Sequence, residues 1–288
     1  MKNVLFTGVC TALVTPFLAD AINYPMLNRL LDRQMEAGIE AVVICGTTGE
    51  APTLSDDEKL ELFRRSKEFV GNDMKIIAGT GSNSTKHTIE LSKAARQAGA
   101  DGLLIVSPYY NKATSMGIIQ HYGLVCSEVD LPVIVYNVPA RTGLDIPVET
   151  YEVLSAITGI AGIKEASQSI TKIGKIRRSS PDLPIWAGND DMITPVISLG
   201  GVGVISVLSN VVPEKVKLLT DAALDGDFDT AAALQSDLGE LNDAVFSEVN
   251  PIPVKAAMKL IGFDCGSCRL PLTNLSAKNI QWLKSLLT

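Results

Sequence analysis

Short apolar runs alternate with amphipathic segments along the chain, which predicts an α/β fold: a (β/α)8 barrel followed by a C-terminal helical extension. Three observations carry this reading. Eight apolar, β-branched runs recur, each followed by a helical stretch. They occupy about 225 residues, the span of a (β/α)8 or TIM barrel. Beyond the eighth run the rhythm changes to helices alone.

The runs are residues 9–17, 41–47, 75–81, 102–109, 132–139, 160–167, 184–190 and 203–210. Amphipathic segments such as 24–37, 56–70, 85–98 and 148–158 lie between them. Strands alternating with helices imply parallel pairing through right-handed crossovers. Near-continuous apolar strands suit a sheet covered on its outer face by helices. A doubly wound sheet is the competing architecture, and it would carry a glycine-rich phosphate loop directly after an early strand. Gly79-Thr80-Gly81 lacks the third glycine, and Gly200-Gly201-Val202-Gly203 precedes a strand. Both read as tight turns.

Residues 214–224 complete the eighth unit, and Gly226 suits a helix terminator. Asp227 then caps a helix whose apolar residues Phe228, Ala231, Leu234, Leu238, Leu241 and Val245 recur at spacings of three and four. Further helical segments follow at 253–261 and 276–287. The expected organisation is a catalytic barrel over residues 1–225 and a helical bundle over 226–288, with no Gly/Ser or Pro-rich linker between them.

Composition narrows the function. With 46% hydrophobic and 20% charged residues in 288, the chain has the balance of a soluble globular protein with a large core. A net charge of −7 argues against nucleic-acid and anionic-membrane partners, which need a basic face. No run approaches the ~18 apolar residues of a membrane span. Five cysteines, at 10, 45, 126, 265 and 268, make no disulfide framework and point to a reducing cytoplasm. Met1-Lys2-Asn3 before Val4-Leu5-Phe6 has the look of a signal-peptide start, and residues 18–21 faintly resemble a cleavage site. Pro16 and the threonines Thr7, Thr11 and Thr15 interrupt that run, so residues 9–17 are read as a strand and the protein as cytoplasmic.

In a barrel, function sits at the C-terminal strand ends and the loops after them. Lys164 lies in Ile160-Ala-Gly-Ile-Lys-Glu-Ala-Ser167 and alternates onto one face with Gly162 and Ala166. If those small residues point inward, Lys164 is a desolvated amine with space around it, a nucleophile. The competing reading is a lysine reaching out of the barrel mouth to solvent. Gly46-Thr47-Thr48-Gly49-Glu50 follows the second strand; its hydroxyls and N–H groups can cradle a carboxylate, or it is a simple turn. Ser107-Pro-Tyr-Tyr-Asn111 ends strand four, and Tyr136-Asn-Val-Pro-Ala-Arg-Thr-Gly143 ends strand five. Cys265-Gly-Ser-Cys268 is a lone C-x-x-C without a second pair, and two histidines are too few for a histidine-rich metal centre. No metal is expected.

Together, Gly46-Thr-Thr-Gly-Glu50, Tyr109-Tyr110-Asn111, Tyr136-Asn-Val-Pro139, Arg141-Thr-Gly143 and Gly162-Ile-Lys-Glu-Ala166 resemble the dihydrodipicolinate synthase/N-acetylneuraminate lyase superfamily. The match runs from Thr15-Pro-Phe17 to Asn250-Pro-Ile-Pro-Val-Lys255 and Arg269-Leu-Pro-Leu272. The Thr-Thr pair, Arg141 and Tyr110 are similar to the synthase branch. That resemblance implies condensation of pyruvate with L-aspartate-4-semialdehyde toward diaminopimelate and lysine, with no cofactor. It implies Lys164 as the Schiff-base nucleophile and Thr47, Thr48 and nearby N–H groups as the pyruvate-carboxylate site. Thr47, Tyr136 and Tyr110 would form a proton relay, with Tyr110 supplied by a neighbouring subunit of a homotetramer built as a dimer of dimers. Arg141 would take the carboxylate of the semialdehyde, and the backbone at Gly188 and Ile205 would line the pocket. Two alternatives stand beside it: a sugar-acid lyase of the same superfamily, and a non-catalytic pyruvate-binding protein, which would have no need of the relay. A pyridoxal-phosphate enzyme would also need a Schiff-base lysine.

Many synthases of the family are inhibited by lysine in a cleft at the tight-dimer interface. The resemblance maps that cleft onto Ala51, Asp56, Lys59, Asn83, His87 and Tyr109. Asn83 and Tyr109 fit the pattern. Regulated members typically carry histidines where this chain has Asp56 and Lys59, and a glutamate where it has His87. The implied cleft therefore lacks the anionic partner for the amine of bound lysine.

Overall fold

The computed structural model describes residues 4–287. Met1–Asn3, where the signal-peptide likeness begins, and Thr288 lie outside the described residues. Eight parallel strands close into a barrel: β1 Gly8–Ala12, β2 Ala41–Ile44, β3 Lys75–Gly79, β4 Gly102–Val106, β5 Val133–Asn137, β6 Ile160–Glu165, β7 Ile185–Ala187 and β8 Gly203–Ser206. β8 pairs back onto β1, with Gly8 opposite Gly203. A Cβ at Gly203 would lie 1.9 Å from the Gly8 carbonyl oxygen, so closure needs glycine there.

Period-two alternation sorts side chains between two apolar layers. Cys10, Ala12, Ala41, Val43, Ile77, Leu104, Ile134, Trp186 and Ile205 fill the barrel interior. Their neighbours Val9, Val42, Ile44, Ile76, Leu103, Ile105, Val135, Ile163 and Val204 face the surrounding helices. Phe6 stacks on Trp186 in the interior at 4.8 Å between ring centroids. A Cβ at Gly162 would meet the Trp186 ring at 2.6 Å, so this glycine makes room for the indole.

Strands end earlier than the apolar runs suggest. The first run stops at Ala12, and Phe17–Leu18 pairs instead with Ala21–Ile22 in a two-stranded ribbon. The last run stops at Ser206, and Leu208–Asn210 turns into a 3-10 segment. Both remainders are buried without continuing the barrel strands, the first largely apolar and the second carrying the polar Ser209 and Asn210. Helices start where side chains can cap them: Asn23 accepts from Met26 N–H before Tyr24–Glu36, and Ser55 and Glu58 form a capping box on Asp56–Val70.

Past Leu224 the described residues form only helices. The single helix expected from Phe228 to Val245 is two, Phe228–Asp237 and Gly239–Val245, which meet at Leu238 beside the low-propensity Gly239. Ile252–Leu260 and Ala277–Leu287 follow. The buried Lys255 of the first of these donates to Glu50 at 2.8 Å and to the carbonyls of Thr15 and Ser267, tying the extension to the loop after β2.

Candidate active site

One irregularity in the barrel wall determines which residues meet at its C-terminal end. Val133 pairs with Ile160, but Ile134 pairs with Gly162, so β6 carries an extra residue against β5. Uninterrupted pairing from Val133 would set Tyr136 beside Ile163 and turn the alternation out of step. With the bulge, Tyr136 pairs with Lys164 and Asn137 with Glu165. Lys164 and Tyr136 therefore project into the barrel on neighbouring strands, with Lys164 Nζ 4.4 Å from the Tyr136 ring centroid. Lys164 is only 4% exposed. Of its two sequence readings, the inward one describes the structure.

Around Lys164 is a cavity of about 70 Å³ lined by Ala12, Val43, Thr47, Thr48, Tyr136, Arg141, Ala166, Gly188, Asn189 and Asn250, among others. It opens beside a larger cavity of about 500 Å³ that shares Thr47, Tyr136, Arg141 and Asn250. Lys164 and Arg141 are both lining side chains of the smaller cavity, and no carboxylate is. An enclosed pocket with two cations and hydroxyl or amide groups is complementary to a small organic anion.

The segment Gly46–Glu50 has left-handed backbone at its margins and not at its glycines. The left-handed residues are Cys45 (φ +58) and Glu50 (φ +56), neither of them glycine. The glycines matter for close approach: a Cβ at Gly49 would sit 3.2 Å from the Leu13 carbonyl and the Cys45 backbone. Glu50 is buried and held by Lys255 and by the Arg269 N–H at 2.8 Å each. Thr48 is buried, and its Oγ1 accepts from Asn250 Nδ2 at 2.9 Å.

Arg141 stands on the four-residue helix Pro139–Thr142 and donates to the Asn250 carbonyl at 3.2 Å. Gly188 caps β7, with its N–H donating to the Glu165 carbonyl at 2.9 Å. A Cβ there would be 2.6 Å from Ala166 Cβ. Ile205 packs in the interior cluster with Ala12 and Val43 but is not among the lining residues. Tyr110 is not brought to Lys164 within this chain: it is 89% exposed, with left-handed backbone at φ +72. Its neighbour Tyr109 lines the larger cavity.

Asn250 and Asn189 are lining residues whose place the residue pattern alone did not reveal. Asn250 is buried, and the Oδ1 atoms of both make no hydrogen bond within the chain. An asparagine directly before a proline in the helical extension was the available signal. Asp190, behind the cavity, is pushed up by burial; Ser206 Oγ and the N–H groups of Val207 and Leu208 oppose this shift.

Of the residues mapped to the second cleft, Ala51, Lys59, His87 and Tyr109 line the larger cavity. Asp56 joins two of them, 2.8 Å from His87 Nε2 and 3.2 Å from Lys59 Nζ. The His87 hydrogen bond chiefly holds its carboxyl below the usual range; burial opposes this, and Lys59 adds to the lowering. The Asn83 carbonyl accepts from Asn111 Nδ2 at 2.9 Å. Cys265 and Cys268 are thiols pushed up by burial, to about 12 and about 11.

Comparison with known proteins gives a consistent set. The dihydrodipicolinate synthetase family model matches residues 5–288. The 4-hydroxy-tetrahydrodipicolinate synthase of a Thermoanaerobacter strain is 45% identical over 99% of this chain and 96% of its own. The crystal structure of dihydrodipicolinate synthase from Thermotoga maritima is 40% identical with a TM-score of 0.96, covering 98% of each chain. The DHDPS of Cyanidioschyzon merolae, solved with lysine bound, is 38% identical with a TM-score of 0.95 over 99% of this chain and 98% of its own.

Proposed function

This chain belongs to the dihydrodipicolinate synthetase family, and on that premise we propose that it condenses pyruvate with L-aspartate-4-semialdehyde to 4-hydroxy-tetrahydrodipicolinate. It is a lyase of the class I aldolase type. The observation that carries the reading is the pocket itself: a nearly inaccessible primary amine and an arginine line it, with no acidic side chain among the lining residues. Both substrates are carboxylates, and one is a ketone open to an amine.

Lys164 Nζ adds to the C2 ketone of pyruvate, and loss of water leaves an iminium that withdraws electrons from the methyl carbon. The carboxylate of pyruvate is held by Thr47, Thr48 and neighbouring N–H groups. A proton leaves the methyl group, and the resulting enamine carbon adds to the aldehyde carbon. Tyr136 and Thr47 pass protons, because a hydroxyl can accept and donate in one chain. Arg141 takes the carboxylate of the semialdehyde with its planar fork. The amine of the second substrate then attacks C2, closing the ring and releasing Lys164.

Tyr110 completes the relay from a second copy of the chain, and the working assembly is a homotetramer, a dimer of dimers, in the cytoplasm. Tyr110 is almost fully exposed in one chain, which leaves its hydroxyl free to reach the pocket of a second copy. A coupled assay with pyruvate and aspartate semialdehyde tests the reading. Turnover with this aldehyde is expected; consumption of pyruvate only with other aldehydes would overturn it.

A further inference from the structure

The bulge that aligns Lys164 with Tyr136 also aligns the next residues, Glu165 and Asn137, on the opposite face of the wall. Elsewhere that face is apolar: Val133, Val135, Ile163, Ile185 and Ala187 all pack there against helices. At the strand ends it carries a carboxylate instead. Glu165 is 3% exposed, and burying a carboxylate is costly unless it is fully bonded. This one is. Oε1 accepts from Asn137 Nδ2 at 2.8 Å and from Ser167 N–H at 2.9 Å. Oε2 accepts from the Tyr151 hydroxyl at 2.9 Å and lies 4.0 Å from Lys172 Nζ. The Tyr151 phenol is pushed up by burial and by the Glu165 charge, which keeps it a donor.

Asn137 reaches further. Its Nδ2 also donates to Asp145 at 2.9 Å, and its Oδ1 accepts from Ile146 N–H at 3.1 Å. Asp145 in turn pairs with Lys172. The segment so held follows the short helix of Arg141. One cluster, buried at Glu165, Asn137 and Lys172 and reaching the exposed Asp145, therefore holds the residue next to Lys164, the residue next to Tyr136 and the return of the Arg141 loop.

We propose that Glu165 and Asn137 are positioning residues: their hydrogen bond clasps the ends of β5 and β6 from behind, and so sets where Lys164 and Tyr136 stand. The inference rests on the reading of Lys164 as the Schiff-base amine. Neither residue touches substrate. An apolar pair would bury the same face but leave the strand ends to the backbone ladder, such as the 2.9 Å bond from Ala166 N–H to the Asn137 carbonyl, without a directional side-chain bond; displacements near 1 Å are enough to cost about 100-fold in rate.

The test compares the wild-type enzyme with Asn137→Ala and Glu165→Gln. The readouts are the thermal midpoint, kcat and KM, and the rate of borohydride-trapped adduct formation on Lys164 with pyruvate alone. Asn137→Ala breaks the clasp and should lower kcat and the trapping rate together, on the order of 10–100-fold. Glu165→Gln keeps one oxygen for Asn137 and Ser167 and should stay within about threefold of wild type. A merely structural role would lower the midpoint but leave the trapping rate per folded molecule unchanged. Trapping by Asn137→Ala at the wild-type rate would overturn the clasp alone. Failure of that variant to fold would overturn it too, because the pair would then hold the barrel and not the site. No adduct on wild-type Lys164 would strike the parent reading first, and the clasp with it.

Discussion

Lys164 and Tyr136 are register partners across β5 and β6, and the lysine amine lies 4.4 Å from the centre of the tyrosine ring. The pairing exists because β6 is one residue longer than β5 needs between Val133 and Ile134. The wall thus presents an amine and a phenol side by side at its C-terminal end, in a pocket whose other charged lining residue is Arg141.

The covalent step is the first expected outcome. Borohydride added with pyruvate should reduce the iminium and leave a stable adduct on Lys164, located by peptide mass mapping. The same treatment without pyruvate should leave Lys164 unmodified. An adduct on Lys172 or Lys255, both buried but both ion-paired, would contradict the assignment.

Tyr110 provides the second. Its removal should lower the rate by on the order of 10²–10⁴ if it relays a proton. Because it lies away from the pocket of its own chain, Lys164→Ala and Tyr110→Phe should complement each other. In a mixed dimer one site receives lysine from one chain and tyrosine from the other. Activity should return when the two inactive proteins are unfolded and refolded together, and continued inactivity would show that Tyr110 does not act in trans.

Much of this was legible in the residues, and the exceptions have physical reasons. Alternation through Gly162, Lys164 and Ala166 placed them on one face, because the extra residue of β6 comes before Gly162 and leaves the later period intact. The bulge itself was invisible, since Ile160 and Ala161 are as apolar as any other strand residues. Asn250 stood within the family match but was given no role, because it lies well inside the extension and the fold, not the spacing, brings it to the barrel mouth. The left-handed positions Cys45 and Glu50 were not read from the sequence, because nothing in a cysteine or a glutamate announces a positive φ.

Asn250 should matter to binding more than to fold. It donates to Thr48 and its carbonyl holds Arg141, so it touches both proposed carboxylate sites. One lost neutral hydrogen bond is worth about 1 kcal/mol, or roughly five- to tenfold in kcat/KM. Asn250→Ala removes the side-chain bond to Thr48 but keeps the backbone carbonyl that holds Arg141, so it should raise KM for pyruvate more than for the semialdehyde, measured by varying each at saturating concentrations of the other. An unchanged KM for pyruvate would remove the Asn250 side chain from the site.

His121 sets a pH dependence of stability. Burial lowers its value from 6.5 to about 4, so the unfolded chain takes up a proton in that window that the folded chain refuses. Its contribution is fully present above pH 6.5, falls by about 1.4 kcal/mol per pH unit on acidification, and stops changing below pH 4. Thermal midpoints of wild type and His121→Asn should diverge between pH 7.5 and pH 5, with the wild type losing more. Parallel curves would mean that His121 takes up its proton in the folded protein as readily as in the unfolded chain.

Feedback by lysine is the last expectation, and the ion pairs sharpen it. A bound lysine brings two ammonium groups and one carboxylate, so its site needs an anion. In the cleft mapped by family resemblance, His87 stands where the resemblance implies the amine's partner, Lys59 adds a like charge, and the nearby carboxylate of Asp56 is already engaged by both. Taking Asp56 for the ligand would leave Lys59, whose side chain is 12% exposed, without its anion. Taking an ammonium from water without a partner costs several kcal/mol. Lysine should therefore inhibit weakly or not at all in a steady-state titration. His87→Glu supplies the missing charge and releases Asp56 from one of its partners, so this single change should lower the lysine concentration needed for half-inhibition by at least about tenfold, the effect of about 1.4 kcal/mol. Tight saturable inhibition of the unaltered enzyme, with bound lysine beside His87 in a crystal, would show that the cleft finds its anion elsewhere.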